Sequence, residues 1–327
     1  MRSPEVARVL PAMVAEGGLA PAQAAPLLAA ARGDVVSVRG ELRALLGLAV
    51  AAVTTAVGLL IAEYRDHLGP LPVAGALAIA AAGTLLVVVR RSPPFTWGRA
   101  TGRDWTLDGL LLLAVGLLGA ELAWIESQFE ALGAGWPLHL LVMAITTGAL
   151  AVRFDSAAAW TLALSTFAAW RGVSIVPTTA GEIERALLAR EDRLRGEMLL
   201  CALCFFLLGR LAERYDRKRH FEPATTMLAL LAAGLGLLPG LASDGTWPLW
   251  ALMLAAVGLA AAAWAFRRRR RGLLALGGLW AWIALTRSMF AVPGVAYFGC
   301  FWAMASTVGA IVALALVHRH FRAQEGR

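Results

Sequence analysis

Charge is scarce in this chain of 327 residues: Asp, Glu, Lys and Arg together make up 16%, against about 25% in an ordinary soluble domain. Asparagine is absent, so the chain holds no N-glycosylation sequon. Lysine occurs once, as Lys218, and every other basic residue is arginine, a bias expected of a GC-rich bacterial coding sequence. Cysteine is limited to Cys201, Cys204 and Cys300. An odd number within apolar stretches argues against a disulfide framework. Cys201 and Cys204 share a helix face, but a metal or redox site needs further ligands and none is nearby, so both read as small packing residues. No metal site, cofactor or catalytic residue is expected.

What is abundant is apolar surface. Hydrophobic residues make up 59%, and the mean hydropathy is +0.67. That composition excludes an ordinary soluble enzyme and a disordered chain, and points to a protein dissolved in a bilayer. The predicted fold class is all-α, a polytopic integral membrane helical bundle of about ten transmembrane helices behind a short cytoplasmic helical hairpin. Ten apolar segments approach the length needed to cross a hydrocarbon core of ~30 Å. They run over 44–63, 70–89, 107–126, 136–153, 156–176, 196–213, 225–242, 247–266, 272–292 and 296–317. Continuous apolar runs of this length suit helices rather than barrel strands.

Residues 1–43 form a separate lead-in, and 318–327 a basic cytoplasmic tail. The lead-in has no continuous apolar core and carries Glu5, Glu16, Asp34 and Glu41, so it does not read as a signal peptide. Ser3-Pro4-Glu5 starts a helix, Gly17-Gly18 stops it, and a second helix begins near Pro21, with Pro26 expected to kink it or delay its start. This hairpin reads first as an amphipathic unit lying on the membrane or bundle, and second as a docking module for a cytoplasmic partner.

The net charge of +8 fits lipid headgroups better than nucleic acid, because the basic residues lie between apolar runs. With the N-terminus in the cytoplasm, 23 of the 30 basic residues fall inside, including Arg267 to Arg271. Seven remain outside: Arg65, Arg171, Arg185, Arg190, Arg193, Arg195 and Arg287. The positive-inside rule therefore places both termini in the cytoplasm of a bacterial inner membrane. Trp97, Trp105, Trp136, Trp247 and Trp250 flank the segments as an interfacial belt. A charged amphipathic stretch near 180–197 precedes the sixth segment, with Thr179 and Glu182 as a capping box. It reads either as an interfacial helix on the outer side or as an outward extension of that segment.

Several residue patterns resemble a known family. Glu16-Gly17-Gly18-Leu19-Ala20-Pro21-Ala22-Gln23-Ala24-Ala25 precedes Val36-Ser37-Val38-Arg39-Gly40-Glu41-Leu42-Arg43-Ala44-Leu45-Leu46, which leads into Thr54-Thr55-Ala56-Val57-Gly58-Leu59-Leu60. Gln128-Phe129 and Phe167-Ala168-Ala169-Trp170-Arg171-Gly172 follow. Over roughly the first half of the chain these resemble bacterial polytopic membrane proteins grouped as domain of unknown function 2157. Pro26 departs from that family's uninterrupted second helix. The resemblance implies inner-membrane architecture with a short cytoplasmic head, and it brings no activity or catalytic residue.

Enzyme signatures are missing. Lys218 follows Arg217, so no Walker A loop exists, and neither H-E-x-x-H nor G-x-S-x-G occurs. Gly234-Leu235-Gly236 lacks the third glycine and the βαβ setting of a dinucleotide site. Ionisable groups inside apolar segments are the better clue, because charge at membrane depth usually lines a bundle interior or wet cavity. Glu121, Arg171 and Arg287 are expected ~7–8 Å below the outer boundary, given 1.5 Å per helical residue. Glu126, Gln128 and His139 lie nearer that boundary. One reading is an outward-facing polar cavity in which the two arginines attract an anionic headgroup or solute and Glu121 acts as counter-ion or proton carrier. The other is an ion pair, Glu121–Arg171 being the available one, that fixes helix register. Three functions follow: a transport-like or lipid-handling protein, a non-catalytic scaffold or regulator acting through the hairpin, and an intramembrane enzyme.

Overall fold

A computed structural model describes residues 4–32, 69–100, 105–173, 191–243 and 245–291, with isolated positions inside 45–63 and 299–309. The expected segments 44–63 and 296–317, most of the stretch 178–197, and the tail 318–327 therefore lie largely or wholly outside the described residues. Among the described residues the secondary structure is helical, without strands. The chain divides into two compact units, Met1–Ala49 with Ala305–Arg327, and Val50–Met304.

The first unit holds the hairpin of α1 (Pro4–Ala15) and α2 (Pro21–Arg32). Gly17 takes φ +74°, where a side chain is disfavoured, and the Gly18 N–H returns to the Met13 carbonyl at 2.9 Å. The helix therefore stops where the glycine pair predicts. Pro26 does not delay α2, which begins at Pro21. Pro21 occupies the first helical position, where no N–H is needed, and Pro26 removes only the bond to Ala22.

The second unit holds α3 (Pro70–Arg91), α4 (Trp105–Phe129), α5 (Leu138–Phe154), α6 (Ala157–Val173), α7 (Glu191–Arg214), α8 (Glu222–Leu237), α9 (Trp247–Arg267) and α10 (Arg271–Phe290). A further 3-10 turn, Leu238–Ala242, prolongs α8. These helices pair in sequence as α3 with α4, α5 with α6, α7 with α8 and α9 with α10. Five stretches are long and apolar enough to cross a membrane: Pro70–Arg91, Thr106–Phe129, Arg219–Ala242, Trp247–Arg267 and Arg271–Phe290. Leu138–Phe154 is apolar but shorter. The sixth expected segment belongs to α7, which includes the charged residues 191–197 as its first turns.

The helices turn sharply where polar residues meet two needs at once. Asp155, at φ 61°, caps the end of α5, and Ser156 starts α6 by accepting the Ala159 N–H at 3.2 Å. Large apolar side chains cover the lateral faces: Ile79 is 76% exposed and Leu252 67%. Such faces are costly in water and match lipid tails.

Inside, α8 is the most enclosed of the five apolar stretches. Its Gly234 leaves room for the Trp280 ring of α10, whose indole N–H donates to the Leu230 carbonyl at 3.2 Å. A Cβ at Gly258 of α9 would lie 2.6 Å from the Gly277 carbonyl oxygen of α10. These small residues let the helices approach backbone to backbone.

Candidate functional site

The antiparallel pairing gathers alternate turns at two ends of the second unit. One end holds the turns around residues 92–100, 155–156, 215–221 and 268–270. Here the sole lysine is inside: Lys218 Nζ lies 2.7 Å from Asp155 Oδ1, with both side chains under 10% exposed. His220 Nε2 lies 2.9 Å from the same oxygen, and the Ala100 N–H donates to Asp155 Oδ2 at 2.8 Å. The Lys218 N–H donates to the Trp97 carbonyl, and Ser156 Oγ donates to Asp108 Oδ1 at 2.6 Å. Burial pushes the Asp155 carboxyl up. The Lys218 and Ala100 hydrogen bonds and the charges of His220 and Lys218 outweigh it, so the net shift is below the ordinary carboxylate value. The adjoining cavity is only ≈ 10 Å³, room for about one water. This cluster clamps loops together and does not admit a ligand.

Two further carboxylates work at this end. Glu222, 3% exposed, accepts from both terminal nitrogens of Arg270, at 2.6 Å and 2.5 Å, and from Thr226 Oγ1 at 3.0 Å. Glu213, in the last turn of α7, joins Arg210 at 2.5 Å to Arg268 at 2.9 Å.

The predicted polar residues take separate partners. Arg171 Nε donates to Glu197 Oε2 at 2.8 Å, and its NH2 group contacts the same oxygen. Arg171 therefore pairs with α7, not with Glu121 of α4. Arg287 Nε donates to the Leu241 carbonyl at 2.9 Å and lies over the Trp247 ring. Glu126 accepts the Leu132 N–H at 2.9 Å and closes the turn after α4, while Gln128 is exposed. His139 contacts the Trp136 carbonyl through Nδ1, and Glu121 is half-buried. Among the described residues, no hydrogen bond, ion pair or ring contact joins any two of the six. Arg171 and Arg287 sit in the last turns of α6 and α10.

The larger opening lies elsewhere, among α7, α8, α9 and α10. It is a lateral groove of ≈ 520 Å³, within the range of small-molecule sites, ~300–1,000 Å³. Ala202 and Phe206 of α7 form one wall, and Ala229, Leu230 and Ala233 of α8 the floor. Val257, Ala260, Ala261 and Trp264 of α9 form the other wall. Arg210, Thr226, Arg268 and Leu273 line the end nearest the arginine-rich turns. Ala202, Phe206 and Arg210 recur every four residues, which keeps them on one helix face. Cys201 packs into the core beside Leu164, Phe205 and Ala229, whereas Cys204 is exposed, so the two thiols of the C-x-x-C serve different surroundings. No group of three or more metal-ligating side chains occurs among the described residues.

No protein-family model, curated protein or solved structure matches the chain. The groove was missed because its walls and floor are alanine, leucine, valine, Phe206 and Trp264, which read as ordinary span residues. Its sequence signal is Arg210, a charge inside an expected apolar segment.

Proposed function

We propose that this chain is a polytopic bacterial inner-membrane protein that handles lipid through the groove among α7–α10. Ten spans, with both termini cytoplasmic, are the topology of this reading. Segments 44–63 and 296–317 complete the eight helices α3–α10, and the basic bias supplies the orientation. Membership of domain of unknown function 2157 is part of the same proposal and rests on the residue resemblance. The supporting observation is the groove itself: its walls are mostly apolar, and its charged lining is concentrated at one end. The two arginines first expected to bind an anion, Arg171 and Arg287, are instead engaged by Glu197, Leu241 and Trp247. The reading therefore moves from an outward-facing polar cavity to this lateral groove.

The test is lipid retention. Full-length protein is extracted into mild detergent, washed, and its bound phospholipid counted by native mass spectrometry. Wild type is expected to keep a small integral number of lipids. Ala261→Trp fills the groove from α9 and is expected to remove one while the protein stays monodisperse. Equal retention by the filled variant would end the lipid-handling reading.

A second reading, a scaffold or regulator acting through residues 1–43, is favoured by one observation. Val9, Met13 and Leu27 of the hairpin are exposed. A cytoplasmic protein recovered with the full chain and lost with Val9→Glu/Met13→Glu would support it.

A further inference from the structure

We infer that the groove is selective for an anionic phospholipid, whose headgroup sits on Arg210 and Arg268 with one acyl chain along the apolar walls. This deepens the lipid-handling reading and rests on it.

Three observations carry it. First, length: Arg210 lies eight residues beyond Ala202 along α7, and Arg268, just past the end of α9, lies eleven residues beyond Val257. At ~1.5 Å per residue these walls run about 12–16 Å, roughly half of a ~30 Å hydrocarbon core. The groove therefore serves one leaflet and one chain depth, and is too short for a pore across both. Second, polarity: the charged lining is confined to the end shared with the Arg267–Arg271 run, the level at which headgroups lie. Third, charge balance: Glu213 is the shared carboxylate of Arg210 and Arg268, so the trio keeps a net positive charge. The Arg268 guanidinium also lies over the Trp264 ring, 5.5 Å from its centroid, which holds it beside the groove wall.

The geometry gives Glu213 a specific part. Its carboxylate occupies the position an anionic headgroup oxygen would take between two guanidiniums. A phosphate can share the pair because each guanidinium presents five donors in a fork, and one carboxylate leaves most of them unused. Glu213 is then an internal competitor that sets how strongly anionic lipid is preferred, while the apolar walls contribute binding common to all phospholipids.

The experiment equilibrates full-length protein in mixed micelles containing equal amounts of phosphatidylglycerol and phosphatidylcholine with matched acyl chains. The retained lipids are then counted by mass spectrometry. Wild type is expected to retain phosphatidylglycerol preferentially. Basic groups near a membrane surface contribute about 1 kcal/mol each, or roughly five-fold. Arg210→Gln and Arg268→Gln should therefore each reduce the preference about five-fold, and together abolish it. Glu213→Gln should raise the preference by about the same factor. Because it removes a charge that the headgroup would replace, it also serves if the arginine variants fail to fold. Retention by wild type without preference, or an unchanged preference in both the double variant and Glu213→Gln, would overturn this inference and leave the lipid groove standing. Absence of any retained lipid in wild type would overturn the groove reading itself.

Discussion

The two ends of the second unit are held together by different means. At the arginine-rich end, four turns are tied by buried ions: Lys218, His220 and the Ala100 N–H converge on Asp155, and Arg270 on Glu222. At the other end, the links of Arg171 with Glu197 and of Arg287 with the Leu241 carbonyl and Trp247 are partly exposed, and Arg195, which is buried, lies over the Trp250 ring rather than between buried carboxylates. Burial magnifies electrostatics in both directions. A buried ion is costly when its partner goes, whereas an exposed one is rescued by water. The clamped end is therefore the more brittle in composition and the more rigid in geometry. The groove's charged mouth adjoins it, where fixed helix ends keep two guanidiniums together.

Substitutions at the two ends test this contrast by thermal or denaturant unfolding in micelles. Asp155→Ala should have the largest effect, about 3–5 kcal/mol, because it strands a buried ammonium and leaves the Ala100 N–H without its acceptor. Glu222→Gln follows at about 2–3 kcal/mol, since Arg270 is one-quarter exposed and water relieves part of the loss. Arg171→Gln, at the opposite end, should cost only about 1 kcal/mol. If Arg171→Gln proved as damaging as Asp155→Ala, the distinction between the ends would fail.

The smallest effect is in pH. Asp155 has a folded value below its ordinary 3.8. Its contribution is thus complete above that ordinary value and fades as pH falls through the lower folded value. The stability gap between wild type and Asp155→Asn should be constant through neutral pH and narrow below about pH 4. A gap that narrowed already between pH 7 and 6 would overturn the assignment of this pH dependence to the Asp155 carboxylate.

The same contrast explains which features were legible in sequence. Helix limits were, because a long apolar run has one stable form in lipid. The segment expected over 247–266 is α9, Trp247–Arg267, and that over 272–292 is α10, Arg271–Phe290. Side-chain partners were not. Depth along a helix follows from residue number, but the direction a residue faces depends on how neighbouring helices are rotated. Glu121 and Arg171 were placed at similar depth, yet Arg171 faces α7 and finds Glu197 there. Asp155 was overlooked for a related reason: in sequence it is one acid in a two-residue turn, and only the fold brings Ala100, Lys218 and His220 to it. The groove is a property of four helices jointly, and no single one of them carries its signature beyond Arg210.

Lys218 has a practical consequence. It is the only ε-amine in the sequence, and it is held in an ion pair away from solvent. Acylating reagents that modify amines will leave the side chains of the folded protein almost untouched, and will mark this residue when the turns around Asp155 come apart. Mass gain at one known position would then serve as a clock for the opening of that end, read in native membranes without any introduced probe.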